Sequence, residues 1–343
     1  MVCKCDCKNQ KCACNNGKPC DCSEKMDSKT FTTIKTAVQT SSVVLSLSIN
    51  SLLMCLIITK STKKMGNYRH LMIFFCCCSM LFSTMDIIVQ PAIHSHRSSF
   101  FMIMDLRNRA IPFRVAEIMI CAMAGCFGVI IYGIAIHFIY RYFALQREGR
   151  VRYFDKKFLP FWFTVPLLGG VCWTLVSLFL FQMNPVTSEY IRPAIKEAFD
   201  MDINQVAYAA AIFWPPNETG KRAFNWNSGL GLLLYMLIMA IPFCIVIVLY
   251  KALVAQTLIP VLSLFLPFGL MFICPILEIE CKLISTSMTF VYAVYPVIDP
   301  LPIFFFVDSY RNAVAKFLCI SGCKSSKVHV ITEEVHSREA SSH

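Results

Sequence analysis

The sequence predicts an all-α membrane protein, folded as a seven-transmembrane helix bundle. Three observations carry that prediction. Charged residues make up only 15% of the chain and hydrophobic residues 56%, against about 25% charged in an ordinary soluble domain. The apolar residues gather in runs close to the ~20 residues that a helix needs to cross a bilayer at 1.5 Å per residue. The formal net charge of +11 lies largely beside those runs, where cations face anionic lipid, and so is no nucleic-acid footprint.

Taken in order, residues 1–36 form a Cys-rich extension and a polar linker. They hold no apolar stretch of the kind a secretory signal carries, so the first span is expected to act as its own insertion signal. Spans are predicted over 37–59, 71–93, 115–139 and 158–181. A long polar segment, 182–228, separates these from the rest. Its front part, 187–199, has spaced charges and predicts a short amphipathic helix over the mouth of the bundle. The run 229–277 has Lys251 as its sole charge, too long for one crossing and suited to two, 229–250 and 253–277. The seventh span is 284–307. The tail, 308–343, opens with a short amphipathic helix and ends in polar, Ser-rich sequence.

Seven crossings put the termini on opposite sides. Over the whole chain the two sides carry equal Lys and Arg. Counted over the short loops alone, the excess lies on the side away from the N-terminus, so the positive-inside rule places that terminus outside. Asn217-Glu218-Thr219 in the long polar segment is then a glycosylation acceptor.

The chain carries no metalloprotease, nucleophile-elbow, P-loop or dinucleotide motif in a suitable context, so no enzyme is predicted. The ionisable residues inside spans are Asp86, Glu117, His137 and Asp299. A transporter strings more such groups along a path and often shows inverted repeats, which are not visible here. For Asp86 a satisfied interhelical hydrogen bond is expected. Arg141 stands between Tyr140 and Tyr142 at a span end, a position suited either to an interfacial anchor or to a latch on the third span. The seventh span packs Pro296, Asp299, Pro300 and Pro302 together. Proline removes a backbone donor and kinks a helix, and a carboxylate in hydrocarbon needs a partner. A packed joint follows, serving as a structural kink or as a hinge.

Four strings stand in order on these spans: GNYRHLMIFF at 66–75 with Asp86 and Pro91-Ala92-Ile93-His94, HFIYRYFAL at the end of the third span, KALVAQTLIP at 251–260, and YPVIDPLPIFFFVDSYRNAV at 295–314. Together they resemble the nematode seven-transmembrane chemoreceptors of the Str type, over roughly residues 40–320. The resemblance implies a G-protein-coupled odorant receptor in the plasma membrane, in the cilium of a sensory neuron, with a small-molecule ligand and a heterotrimeric G protein as partners. It implies that His137, Tyr140, Arg141 and Tyr142 form the latch of the third span. Asp299, Pro300, Pro302, Tyr310 and Arg311 would form the switch of the seventh. Ligand is expected between the outer halves of spans three, five, six and seven, with Glu117, Phe268, Phe272, Tyr292 and Tyr295 as candidate lining. Kinks at Pro242, Pro260, Pro267, Pro275, Pro296, Pro300 and Pro302 would let the inner helix halves swing as ligand shifts the population.

Two departures from the family pattern stand out. The polar loop expected between spans five and six is missing, since Tyr250 runs directly into Lys251. The segment 182–228 has no Cys, so it cannot supply a disulfide to the third span.

The first 24 residues resemble the start of a nematode metallothionein. Cys3, Cys5, Cys7, Cys12, Cys14, Cys20 and Cys22 form three Cys-x-Cys clusters, which place thiolates close enough to share zinc or another soft cation. A disulfide-linked cap and an extension with no role are the other readings of this segment. No other cofactor is expected. Cys319 and Cys323, beyond the seventh span, are candidate palmitoylation sites. A secondary transporter and a metal-handling membrane protein remain the alternatives to a receptor.

Overall fold

The computed structural model describes residues 28–61, 66–145, 150–216, 221–250, 266–279, 282–306 and 308–317. The N-terminal cysteines, Asn217, the 251–260 string with Lys251 and Pro260, the fifth-to-sixth junction, Cys319, Cys323 and the tail beyond 317 lie outside these residues, as does the side chain of Pro302.

Helix α1 (Ser28–Lys60) begins inside the stretch expected to be a linker. Its early turns are helical because they have something to bury. Phe31 meets Phe199 and Phe290, each with ring centroids 6.1 Å apart. The Lys35 ammonium donates to the Gln90 carbonyl at 3.0 Å, and the Gln39 amide to that of Pro91 at 3.4 Å. Those carbonyls belong to the end of α2 (Tyr68–Val89). There Gln90 turns left-handed at φ 50 and Pro91 forbids a further turn.

Helices α3 (Phe113–Leu145) and α4 (Leu159–Leu180) follow, joined in part by a 3-10 turn over Arg150–Phe154. Helix α3 runs past the expected Ile139. Further along come α5 (Pro185–Phe199), α6 (Trp226–Tyr250), α7 (Leu266–Ile276), α8 (Lys282–Ile298), α9 (Leu301–Phe306) and α10 (Asp308–Phe317). The seven-helix bundle consists of α1, α2, α3, α4, α6, α7 and the broken pair α8–α9. Of these, α1, α2, α3, α4 and α6 are each long and apolar enough to cross a bilayer as described.

Close approach binds α3 to α4. A Cβ on Gly125 would stand 1.9 Å from Thr174 Oγ1 and 2.7 Å from the Gly170 carbonyl oxygen, and one on Gly170 would stand 2.5 Å from Val129. Backbones this near gain dispersion contacts that larger side chains would prevent, which is how helices associate where lipid offers no hydrophobic drive.

The helical bundle carries one addition. At one end of the bundle, the segments expected to be loops form an antiparallel sheet, β1 (Ala92–His96), β2 (Ser99–Asp105) and β3 (Val206–Ile212), in the order β1-β2-β3. Phe101 pairs with Ala210 and Ile103 with Tyr208. Every residue of β3 is buried. Even-numbered positions from Val206 to Ile212 pack with Ile191, Ile195 and Phe199 of α5, while Ala207, Ala209 and Ala211 face the bundle. A strand covered on both faces shows no polar alternation, so VAYAAAI carries little strand signal.

Helix α5 lies where the spaced charges of 187–199 predict an amphipathic helix. Asn184 caps it, accepting from the Thr187 N–H at 2.8 Å while Thr187 Oγ1 accepts from the Asn184 N–H at 3.0 Å. Pro185 follows in the first turn. Sheet and α5 together make a cap, and the other end of the bundle is closed by a third apolar cluster around Tyr68, Tyr140, Phe154 and Tyr310.

Candidate functional site: a roofed cavity and a broken seventh helix

Beneath the sheet lies a cavity of about 60 Å³. Phe100 and Ala209 roof it, Phe127 and Trp173 line it from α3 and α4, and Tyr235, Phe268, Phe272 and Tyr292 complete the wall. Phe127 stacks on Phe268 with centroids 3.8 Å apart, and Trp173 on Tyr235 at 4.2 Å. No charged side chain reaches the lining. Its hydroxyls are already engaged: those of Ser177 and Tyr235 bond each other, and Tyr292 donates to the Met123 carbonyl at 2.6 Å. Such a space suits a small uncharged molecule, because it offers shape and aromatic faces and leaves no buried charge in want of a partner.

Of the five residues expected to line a ligand site, Phe268, Phe272 and Tyr292 lie here. Glu117 and Tyr295 do not. Glu117 is buried near the start of α3, where Arg114 donates to its carboxylate at 3.0 Å. Tyr295 points toward the opposite end and donates to Asp299 Oδ1 at 2.9 Å. The cavity residues that sequence reasoning missed, Phe127, Trp173 and Tyr235, carry no motif; they read as ordinary span aromatics.

Asp86 is 1% exposed, and neither carboxylate oxygen meets strict hydrogen-bond geometry among the described residues. Gln39 of α1 is its hydrogen-bonding neighbour and Lys35 a nearby cation, so its partners come from the adjacent helix, as expected, in a looser pairing.

The seventh helix breaks at Asp299-Pro300, between α8 and α9. Ser79, His137 and Asp299 share a small pocket with Phe75. Arg141 stands within electrostatic reach of His137, Tyr68 and Asp299. Around it the rings interlock. Tyr68 stacks on Tyr140 at 3.4 Å and 2°, Tyr140 meets the edge of Phe154 at 5.1 Å, and Phe154 stacks on Trp162 at 4.5 Å. The Tyr68 hydroxyl bonds His137 Nδ1. Tyr310, fully buried, bonds the Ser61 hydroxyl at 2.8 Å and so pins α10 to the end of α1. Tyr142 is half-buried and Arg311 exposed, both outside this stack. His137, Tyr140, Arg141, Asp299, Pro300 and Tyr310 therefore converge on one end of the bundle. Tyr68, Phe154 and Trp162 join them unforeseen; aromatic residues beside the basic boundary segments were the available signal.

The family model of the serpentine type 7TM GPCR chemoreceptor Str matches residues 35–250 and 248–315. The chain belongs to this family of G-protein-coupled chemoreceptors. Among its relatives, serpentine receptor class r-10 of Caenorhabditis briggsae is 26% identical, over 75% of this chain and 83% of the relative. The Caenorhabditis elegans protein of the same name and the G-protein coupled receptor str-217 of that species are each 26% identical, over 81% of this chain and 88% of the relative. The two stretches matched by the Str model meet at 248–250, where the polar loop between spans five and six is missing from the sequence. A second family model, the nematode family 6 metallothionein, matches residues 2–39. Its match runs into α1, which starts at Ser28. Among the described residues no group of three His, Cys, Asp or Glu is placed to hold a metal ion. This Str receptor is a multi-pass membrane protein.

Proposed function

We propose that this chemoreceptor binds a small, uncharged, largely apolar molecule in the cavity beneath the sheet and passes the event to a heterotrimeric G protein at the Arg141 end. The observation that carries the reading is the lining itself: aromatic walls, no charge among the described residues, and hydroxyls that are already bonded. One water occupies roughly 10–15 Å³ on a comparable measure, so about 60 Å³ takes a molecule of only a few heavy atoms unless the walls move. The sheet end faces outside and the Arg141 end faces the cytoplasm, in keeping with the distribution of Lys and Arg in the short loops. By family, the site of action is the plasma membrane, in the cilium of a sensory cell.

Coupling between the two ends runs along α3 and α8. Phe127 and Tyr292 at the cavity share helices with His137, Arg141 and the Asp299 break. Ligand that favours one packing of Phe127, Phe268 and Tyr292 shifts the population of that packing, and the break lets α9 and α10 move relative to α8. The test is a G-protein reporter assay with a panel of small neutral volatiles. Ala124→Phe, which fills the cavity from α3, should abolish the response at normal surface level. Asp299→Ala and Arg141→Ala should impair the response more than surface expression. Normal responses from the filled cavity, or from both switch variants, would defeat the assignment.

A second activity is favoured by the metallothionein match over residues 2–39. The three Cys-x-Cys clusters are a donor set that fits a soft d¹⁰ cation such as zinc. Under reducing conditions the full chain should bind zinc with release of protons. A chain with the seven N-terminal cysteines changed to Ser should bind none, and equal binding by both would remove this reading.

A further inference from the structure

The cavity has no opening toward the sheet. Phe100, Phe101 and all of Val206–Ile212 are buried above it, and α5 covers the far face of the sheet. A molecule coming from water at this end must cross two packed layers. The flank between α6 and α7 is built differently. Over their described lengths, α6 holds to α3, α4 and β3, while α7 holds to β1, β2 and α8. Across the seam, Tyr235 and Phe272 touch ring to ring at 5.8 Å. A strap closes the seam above, where Trp214 Nε1 donates to the Ile276 carbonyl at 3.2 Å and Arg222 pairs with Glu278 at 2.6 Å.

Helical spacing places Gly269, Phe272 and Ile276 on one flank of α7. Phe272 meets Tyr235 of α6 ring to ring, so this flank faces α6. Met271 and Cys274 on the opposite flank are buried. Gly269 is only half-buried, and a Cβ added there would meet nothing within 4 Å among the described residues. Among the described residues the seam therefore has a roof, a ring pair and open space beside that pair, and the outer faces of α6 and α7 carry the exposed Leu233, Leu237, Leu270 and Ile273, as lipid-facing helices do.

We propose that molecules reach the cavity sideways from the hydrocarbon layer, through the seam between α6 and α7, with Tyr235 and Phe272 as its door. Ligands are then neutral and must partition into the membrane before they bind; water-confined ions are excluded by the route as well as by the lining. This rests on the reading of the cavity as the ligand site.

The route is tested without any natural ligand, by thiol labelling of the full receptor in vesicles. Ala209→Cys puts a thiol at the cavity roof, and Ala124→Cys provides a second position on α3. Labelling at these positions is followed by peptide mass spectrometry with the small neutral methyl methanethiosulfonate and with the anionic 2-sulfonatoethyl methanethiosulfonate. The neutral reagent should label both, and the anionic one neither. Gly269→Trp should slow neutral labelling at least tenfold, Gly269→Leu should slow it less, and Gly269→Ala should leave it unchanged. Equal labelling by the anionic reagent would overturn the proposal, as would an unchanged rate in both bulky variants. Failure of the cavity as a ligand site is read separately, from a normal signalling response of Ala124→Phe, because labelling needs no response.

Discussion

Asp299 shows how one side chain ties the break in the seventh helix to its surroundings. Its carboxylate sits at the helix break, accepts from Tyr295 and faces Arg141. Removing a buried partner costs more than the pair contributes, since the other group is left without its bond. A double-mutant cycle suits the neighbouring pair: Tyr68→Phe and His137→Phe should each raise basal signalling, with a coupling of about 1 kcal/mol or more between them, read from the basal response at matched surface level. Additive effects would show that the hydroxyl–imidazole contact is idle. Outside the membrane, Asp105 gives a pH prediction. Burial alone would raise its carboxyl, but the hydrogen bonds from Arg107 (3.1 and 2.9 Å) and the charges of Arg107 and Arg109 hold it below the usual carboxylate range. A lowered folded value means that its stabilising share is present at neutral pH and is lost as pH falls through ~3.9 and then through the folded value. Thermal unfolding of Asp105→Asn should lie slightly below the parent at pH 7, by no more than ~1 kcal/mol for so exposed a pair, and the gap should close toward pH 3.

Among the elements, α3 and α4 have the least tolerance. Gly125→Leu or Gly170→Leu forces side-chain atoms into backbone and should destabilise the receptor by about 1–3 kcal/mol or more, seen as loss of surface expression and of thermal stability, while Gly66→Ala meets no neighbour among the described residues and should cost only the ~1–2 kcal/mol of a left-handed backbone at φ 51. Helix α5 depends on its cap: Asn184→Ala should cost about 1 kcal/mol, measured by thermal unfolding. This helix was legible because its charges recur at helical spacing around Ile191, Ile195 and Phe199. The seventh-helix break was legible too, because Asp299 among prolines leaves few other arrangements. The sheet was not. Its β1–β2 hairpin reads as a loop of His, Ser and Arg, and β3 is alanine-rich and covered on both faces, so neither the period of two nor a turn signal announces it. The convergence of Phe127, Trp173 and Tyr235 on one space is a property of helix packing, which local sequence does not encode. What the motifs did encode was the Arg141 end, where residues adjacent in sequence are also adjacent in space.

Taken whole, the receptor is a bundle held between a β-capped end and an aromatic end, with the cavity nearer the first and the break nearer the second. The orientation predicts that a tag ahead of Met1 is reached by antibody in intact cells, and that a tag after His343 is reached only after permeabilisation. Both tags accessible from one side would overturn the topology. The cap has one more implication. Many helical receptors tie the corresponding outer segment down with sulfur. Here β2 and β3 are tied by a backbone ladder from Ser99–Ile212 to Asp105–Val206, and the described cysteines are all free thiols. Dithiothreitol should therefore leave the β-cap folded, so this mouth can stay shut in surroundings that would unlace a cystine-stitched one.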